Sequence, residues 1–445
     1  MTEPSFAARR LHFVGIGGAG MSGLALVART LGAEVSGSDR AESSYTDRLR
    51  AAGIEPTLGH SAVNLPDGAE LIVSTAIAED NPELVRGREE GRCVLHRADL
   101  LAELTKLKRS IAISGTHGKT TTAAMAAHVL LRCGREPAYL VGGELRAART
   151  NAAWGAGEWL VAEADESDRS FLKLHREVAV VTSVELDHHA TYRSPRELHA
   201  AFAEFTAPAQ TTIAWARAGL DAAVTYGVGE GGLRAQDVEL LPLGSRFTVD
   251  GVRVRLRVPG EHNVLNALAA LAACREAGVA LGEAAPALED FAGAARRFEE
   301  RGATAAGARI FDDYAHHPTE VRATLEAART LEPRRLVACF QPHLYSRTRE
   351  LAREFGRALA LADLVVVLDV YPARERAQDY PGVSGLTVAR TAADAACGRP
   401  VWWLPGMDEA ERMLRERLRE GDVLLTMGAG DVDRLAERLG DGAAA

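Results

Sequence analysis

The chain is short of lysine: Lys106, Lys108, Lys119 and Lys173 are the only four in 445 residues. Arginine carries the rest of the positive charge, spread among glutamates as in RMLRERLREG (Arg412–Gly421), which reads as a solvated helix face. With a net charge of −9 and no basic patch, nucleic acid and anionic membrane surfaces are not expected partners. Cysteine is sparse too. Cys93, Cys133, Cys274, Cys339 and Cys397 are far apart and form no C-x-x-C, the pattern of free thiols in a reducing compartment. No run approaches the ~18 apolar residues of a membrane span. The start, MTEPSFAARRLHFVGIGG, lacks the uninterrupted apolar stretch of a signal peptide, so a cytoplasmic location is expected. There is no fixed-period repeat, and the one biased tract is the alanine-rich tail at 442–445, expected to fray.

What is present is a recurring alternation. At ~150 residues per domain, the length suggests about three domains. Apolar runs of strand length alternate with helical segments, the mark of parallel sheets built from βαβ units. LHFVG, AEVSG and ELIVSTAI form a first block, closed by a helix expected over RADLLAELTKLKRS (Arg97–Ser110). SIAISG, WLVAEAD and VAVVTSV belong to a second, which also holds RFTVDGVRVRLRV, where alternation around Asp250-Gly251 predicts a hairpin and hence a small antiparallel patch. ARIFDDYA, RLVACFQPH, DLVVVLDVY and DVLLTMGAG give a third. The expected fold is α/β in three domains: 1–105 Rossmann-like, 106–302 a phosphate-loop ATPase with a mainly parallel sheet, and 303–445 Rossmann-like.

Two glycine loops carry the chemistry. VGIGGAGMSG places G-x-G-x-x-G at Gly15, Gly17 and Gly20, with Asp39 nineteen positions on. That spacing seats a pyrophosphate at a helix N-terminus and a ribose on the acid, but it senses no nicotinamide; NAD and a UDP-sugar satisfy it equally. The second loop, ISGTHGKTTTAAM, runs from a strand through Gly115 and Gly118 into Lys119-Thr120 at a helix start. Converging backbone N–H groups and the lysine form a phosphate cradle, with the Thr120 hydroxyl placed for Mg2+. It is the short G-T-x-G-K-T form, since Ile113 stands where the longer motif begins. AEADESD and VELDHHATY then put Glu163, Asp165, Glu166 and Asp168, and Glu185, Asp187, His188 and His189, at the ends of two expected strands, where open α/β sheets bind ligands.

VGIGGAGMSGLA, SGTHGKTTT, AEADESD, LDHHATY, GEHNVLNALAA, RRFE, DDYAHHPTEV and FQPHLYSRT follow in this order along nearly the whole chain. Together they resemble the Mur ligase superfamily. The resemblance implies an ADP-forming ligase of peptidoglycan synthesis: ATP phosphorylates the lactyl carboxylate of UDP-N-acetylmuramate, and an amino acid, here L-alanine, attacks the acyl phosphate. No covalent enzyme intermediate is needed, and no cysteine or serine constellation is present to form one. The resemblance further implies that Gly115, Thr116, His117, Gly118, Lys119, Thr120 and Thr121 hold ATP phosphates; that Thr120, Glu163 and His188 bind Mg2+; and that Asn263 meets the adenine, Arg297 a phosphate and Asp313 the ribose. Gly17, Gly18, Ala19, Gly20, Asp39 and Ser74 would hold the UDP end. Tyr314, His316, His317, His343 and Arg347 would line the acceptor side, with Lys119, His188, His317 and Arg347 catalytic and Arg347 facing a carboxylate. A monomer or homodimer is implied.

Two positions depart from the pattern. Leu344 stands where many relatives carry arginine. Ligases for later amino acids use a carbamoylated lysine in a region held here by Phe202, and no lysine follows Lys173, which favours the alanine-adding branch. A recycling ligase that attaches a tripeptide to the same UDP-sugar shares the DD-x-AHHPT run. A dehydrogenase would explain the first loop alone, and a nucleotide-gated binding protein would leave the acceptor residues without a use.

Overall fold

The computed structural model describes residues 6–188 and 191–440; His189 of the second acidic cluster and the tail at 442–445 lie outside the described residues. Three sheets follow one another along the chain. The first has five parallel strands in the spatial order 57–58, 34–39, 10–14, 70–73, 94–96. This is the doubly wound order, and its switch point lies beside Arg10–Val14, the strand that feeds the first glycine loop.

The central sheet has ten strands. Its middle is parallel, with Arg109–Ser114 between Val178–Val181 on one side and Trp159–Glu163 on the other. The expected hairpin pairs Gly244–Val249 with Val252–Leu256, and Asp250 and Gly251 take φ of 45° and 79°, the left-handed pair of a two-residue turn. Leu233–Leu241 pairs antiparallel with the hairpin's first strand, and a further antiparallel pair, Ala138–Leu145 with Thr150–Ala153, closes the opposite edge. Two alanine-rich helices, Lys119–Arg132 and Glu261–Glu276, pack on one face, their small side chains letting the backbones approach. The other face is filled by aromatics: Phe171 stacks on Phe205 at 4.9 Å and meets Phe202 edge-on at 5.4 Å. Phe202 is therefore core and lines no site.

The third sheet holds the four expected strands, all parallel, plus Val401–Trp403 at one edge and Glu299–Ala303 antiparallel at the other. The segment Glu299–Ala303 straddles the partition expected at 302. The helix expected to run to Ser110 stops at Thr105, and the chain enters its next strand at Arg109. Among the described residues no helix is long and apolar enough to cross a membrane.

Candidate active site

The strand Arg109–Ser114 ends in the second glycine loop, and its two neighbours end in the two acidic runs. Parallel register thus delivers Glu163–Glu166 and Thr182–His188 to either side of Gly115–Thr121. Gly115 and Gly118 take φ of +131° and +83°; a Cβ at Gly115 would stand 2.1 Å from Thr182 Oγ1, and one at Gly118 2.3 Å from Asn266 Oδ1. Only glycine fits either place.

Lys119 curls over the loop, donating to Gly115 O at 2.6 Å, with Glu166 Oε2 2.9 Å from its Nζ. Burial lowers the affinity of this ammonium for its proton, but Glu166, with Asp165 and Glu163, outweighs that and keeps it firmly charged. Thr120 Oγ1 donates to Glu163 Oε1 at 3.0 Å, and Gly142 N–H donates to Glu163 Oε2 at 2.6 Å. His188, with φ of 37°, sits with Nε2 3.6 Å from Glu166 Oε1 and from Asp187 Oδ2. Thr116 Oγ1 donates to Glu185 O, and His117 N–H donates to Ser183 Oγ.

Beside the loop lies a cavity of about 380 Å³ between the central and third sheets, lined by Gly118, Thr121, Asn263, Arg297 and Asp313. Asn263 is held by Pro259 O and by Asn266, one helical turn along the same face. Arg297 reaches Thr120 Oγ1 at 3.5 Å and lies over the Tyr314 ring. Asp313 accepts from Phe298 N–H and Ala315 N–H, both at 2.8 Å; burial, only partly offset by Arg297, raises its carboxyl to about 6.

Tyr314, His316, His343 and Arg347 gather across the seam from Asp187. Arg347 Nε and Nη2 each donate to Asp187 at 2.9 Å, and both side chains are 5% exposed. Burial raises the Asp187 carboxyl, but Arg347 and His188 overcome it and hold the group far below the usual range. Arg347 also donates to His343 Nδ1 at 3.1 Å, so that imidazole is neutral. Burial lowers His343 to about 2, and His316 and His317 to about 4. His317 Nδ1 caps its helix by accepting from Thr319 N–H, which leaves the proton on Nε2. His117, Glu185 and His317 bring donor atoms within 4.8 Å of one another. His117 Nε2 hydrogen-bonds Glu185 at 3.0 Å and its Nδ1 lies 3.3 Å from Glu320 Oε1, however, making this an ionic clasp between sheets and no open metal cage.

The first glycine loop stands apart from this cluster, in the first sheet. Gly17, Gly18, Ala19 and Gly20 lead into the helix Ala19–Thr30. Asp39 accepts from Gly17 N–H at 2.8 Å, so it clasps the loop whose ligand it is expected to share. Ser74 opens the turn after Glu70–Val73, where Ile77 packs under Gly15.

Two contacts that the motifs did not assign also shape the site. Asn266 had a readable signal, three residues beyond Asn263 on one helix face. The pairing of Asp187 with Arg347 had none, because tertiary contact alone unites them.

Three family models match the chain in order: Mur ligase family, catalytic domain, over residues 10–109; Mur ligase middle domain over 113–274; and Mur ligase, glutamate ligase domain, over 296–430. A UDP-N-acetylmuramate–L-alanine ligase of Streptomyces coelicolor is 47% identical, with 97% of each chain covered. One from Rubrobacter xylanophilus is 44% identical over 97% of this chain and 99% of its own. The crystal structure of a Thermotoga maritima UDP-N-acetylmuramate–alanine ligase superposes with a TM-score of 0.85 at 32% identity, covering 97% of this chain and 98% of that one. A murein peptide ligase from Psychrobacter arcticus shares the fold, with a TM-score of 0.73 at 24% identity over 97% and 98%. With both glycine loops, the flanking acids and the histidines beside Arg347 in place, and with likeness running the whole length, the chain belongs to the Mur ligase family.

Proposed function

We propose that the protein joins L-alanine to the lactyl carboxylate of UDP-N-acetylmuramate, with ATP cleaved to ADP and phosphate, in peptidoglycan synthesis. One observation carries the reading. The phosphate loop lies at a junction with the first glycine-loop unit on one side and the Tyr314–Arg347 cluster on the other. Near-full-length relatives bearing that activity in their names support it. In this reading 1–105 holds the UDP end through Gly17–Gly20, Asp39 and Ser74, 106–302 holds ATP, and 303–445 holds the amino acid.

The substrate carboxylate attacks the terminal phosphorus of ATP, and ADP leaves. The alanine amine then attacks the acyl carbon, the C–O bond electrons leave with phosphate, and the amine gives up a proton. The protein's part is placement and charge neutralisation. Lys119 exchanges Glu166 for phosphate oxygens, and Arg297 adds a second cation at Thr120. Arg347 offers a planar two-pronged donor for a carboxylate. Thr120 and Glu163 present hard oxygen donors that fit Mg2+, with His188 beside Glu166 as a further donor; the metal, when bound, neutralises the phosphate charge.

ADP release from purified protein is the test. Release is expected only when ATP, Mg2+, UDP-N-acetylmuramate and L-alanine are all present. Turnover with the tripeptide and none with L-alanine would reassign the protein to recycling. Lys119→Ala should lower ligation on the order of a hundredfold or more, with UDP-sugar binding kept.

A further inference from the structure

A second cavity, about 160 Å³, lies at the seam between the first and central sheets. Its walls join the start of the first glycine-loop helix at Gly20 to Glu163, the carboxylate that faces Thr120. It therefore runs from the first glycine loop to the carboxylate that holds Thr120 of the second. Two polar side chains in its lining are not used by anything described above.

Asn151 is 1% exposed, and its Nδ2 donates to Ala19 O at 2.7 Å. That bond fixes the amide orientation and leaves Oδ1 buried with no partner. Buried acceptors are almost always satisfied, so an orphan in a cavity wall marks a place where an incoming N–H or O–H completes the bond. Arg97 Nη2 donates to Asp165 Oδ2 at 2.6 Å. Its Nε and Nη1 find no protein acceptor among the described residues, and Nη1 lies 3.4 Å from where a Cβ on Gly20 would stand. The guanidinium thus lies in contact range of the first glycine loop.

We propose that Arg97 and Asn151 select the sugar end of the substrate. Arg97 grips an oxyanion of the UDP-sugar, and Asn151 Oδ1 accepts from a hydroxyl or acetamido N–H of the sugar. Asp165 serves as the positioning partner that holds Arg97 ready. The spacing suits the ligand: diphosphate at the first loop, sugar in the cavity, lactyl carboxylate arriving at Glu163 and the ATP loop. This rests on the UDP-sugar reading above.

Binding of UDP, UDP-N-acetylglucosamine and UDP-N-acetylmuramate, titrated by calorimetry with a non-hydrolysable ATP analogue present, tests it. Arg97→Gln should weaken UDP-N-acetylmuramate at least tenfold, and Arg97→Lys should recover part of the loss. If the gripped oxyanion is the lactyl carboxylate, the other two ligands bind Arg97→Gln as they bind wild type; if it is the diphosphate, all three weaken together. Asn151→Ala should weaken both sugar nucleotides and spare UDP. Asp165→Asn should keep UDP-N-acetylmuramate binding within a few fold. Equal losses for Arg97→Gln and Asp165→Asn would show a mere tether between sheets and overturn the proposal. So would wild-type affinity in Arg97→Gln. Failure of the wild-type protein to bind any of the three ligands would instead overturn the UDP-sugar reading itself.

Discussion

Arg347 has two demands on it. In the structure it is paired with Asp187 through two 2.9 Å bonds in a buried seam, while the proposed chemistry assigns it to a carboxylate of the acceptor side. A buried pair is costly to break from one end: the partner is left as an uncompensated charge, worth about 3–5 kcal/mol. Replacing both members by apolar residues of similar size removes that penalty. Arg347→Met alone should therefore lower stability by about 3 kcal/mol or more, and the double variant Arg347→Met with Asp187→Leu should recover most of it. If Arg347 also contacts alanine, the double variant stays inactive despite its recovered thermal midpoint. Full activity in the double variant would reduce Arg347 to a structural role.

At the scale of elements, the hairpin at Asp250-Gly251 offers a clean measurement. Nothing lies within 4 Å of a Cβ built on Gly251, so alanine there meets no clash and only the backbone strain of φ +79°. Gly251→Ala should cost about 1 kcal/mol by thermal or urea unfolding, with the KM for ATP unchanged. This turn, the buried parallel strands and the Gly115–Lys119 loop were readable because each is encoded by contiguous residues. The elements that escaped lack such a signature. Ala138–Leu145 carries Gly142-Gly143 inside its strand, Leu233–Leu241 breaks alternation at Gln236-Asp237 and is largely exposed, and Val401–Trp403 is a three-residue edge. The helix from Arg97 was read too long because its charged end, Lys106-Leu107-Lys108, resembles a helix terminus that continues. In the site, the acids at strand ends could be placed from sequence, since parallel pairing brings neighbouring strand ends together. Arg97, Asn151 and the Asp187–Arg347 pair could not, because they meet only across seams.

Over the whole molecule, the central and third sheets are held by a polar clasp that includes the phosphate loop. His117 lies between Glu185 of the central unit and Glu320 of the third, with Thr319 Oγ1 donating to Glu185 at 2.8 Å and the neutral His317 ring 4.6 Å away. Burial lowers His117, but Glu185 and Glu320 more than reverse it, and the imidazole is raised to about 9. In the unfolded chain the same group titrates near 6.5. The folded form therefore holds its proton more tightly, and the stabilisation is complete below about 6.5, declines as pH rises from there, and is gone above about 9, a change of at most about 3 kcal/mol. His316, His317 and His343 act with the opposite sign: burial lowers each of them, so they withdraw stability as pH falls below about 6.5. Thermal midpoints of the ligand-free protein should fall on both sides of neutrality. The alkaline fall belongs to His117, so His117→Asn should be less stable than wild type at pH 6.5 and converge with it near pH 9.5. Parallel profiles for the two proteins across that range would remove His117 from the clasp.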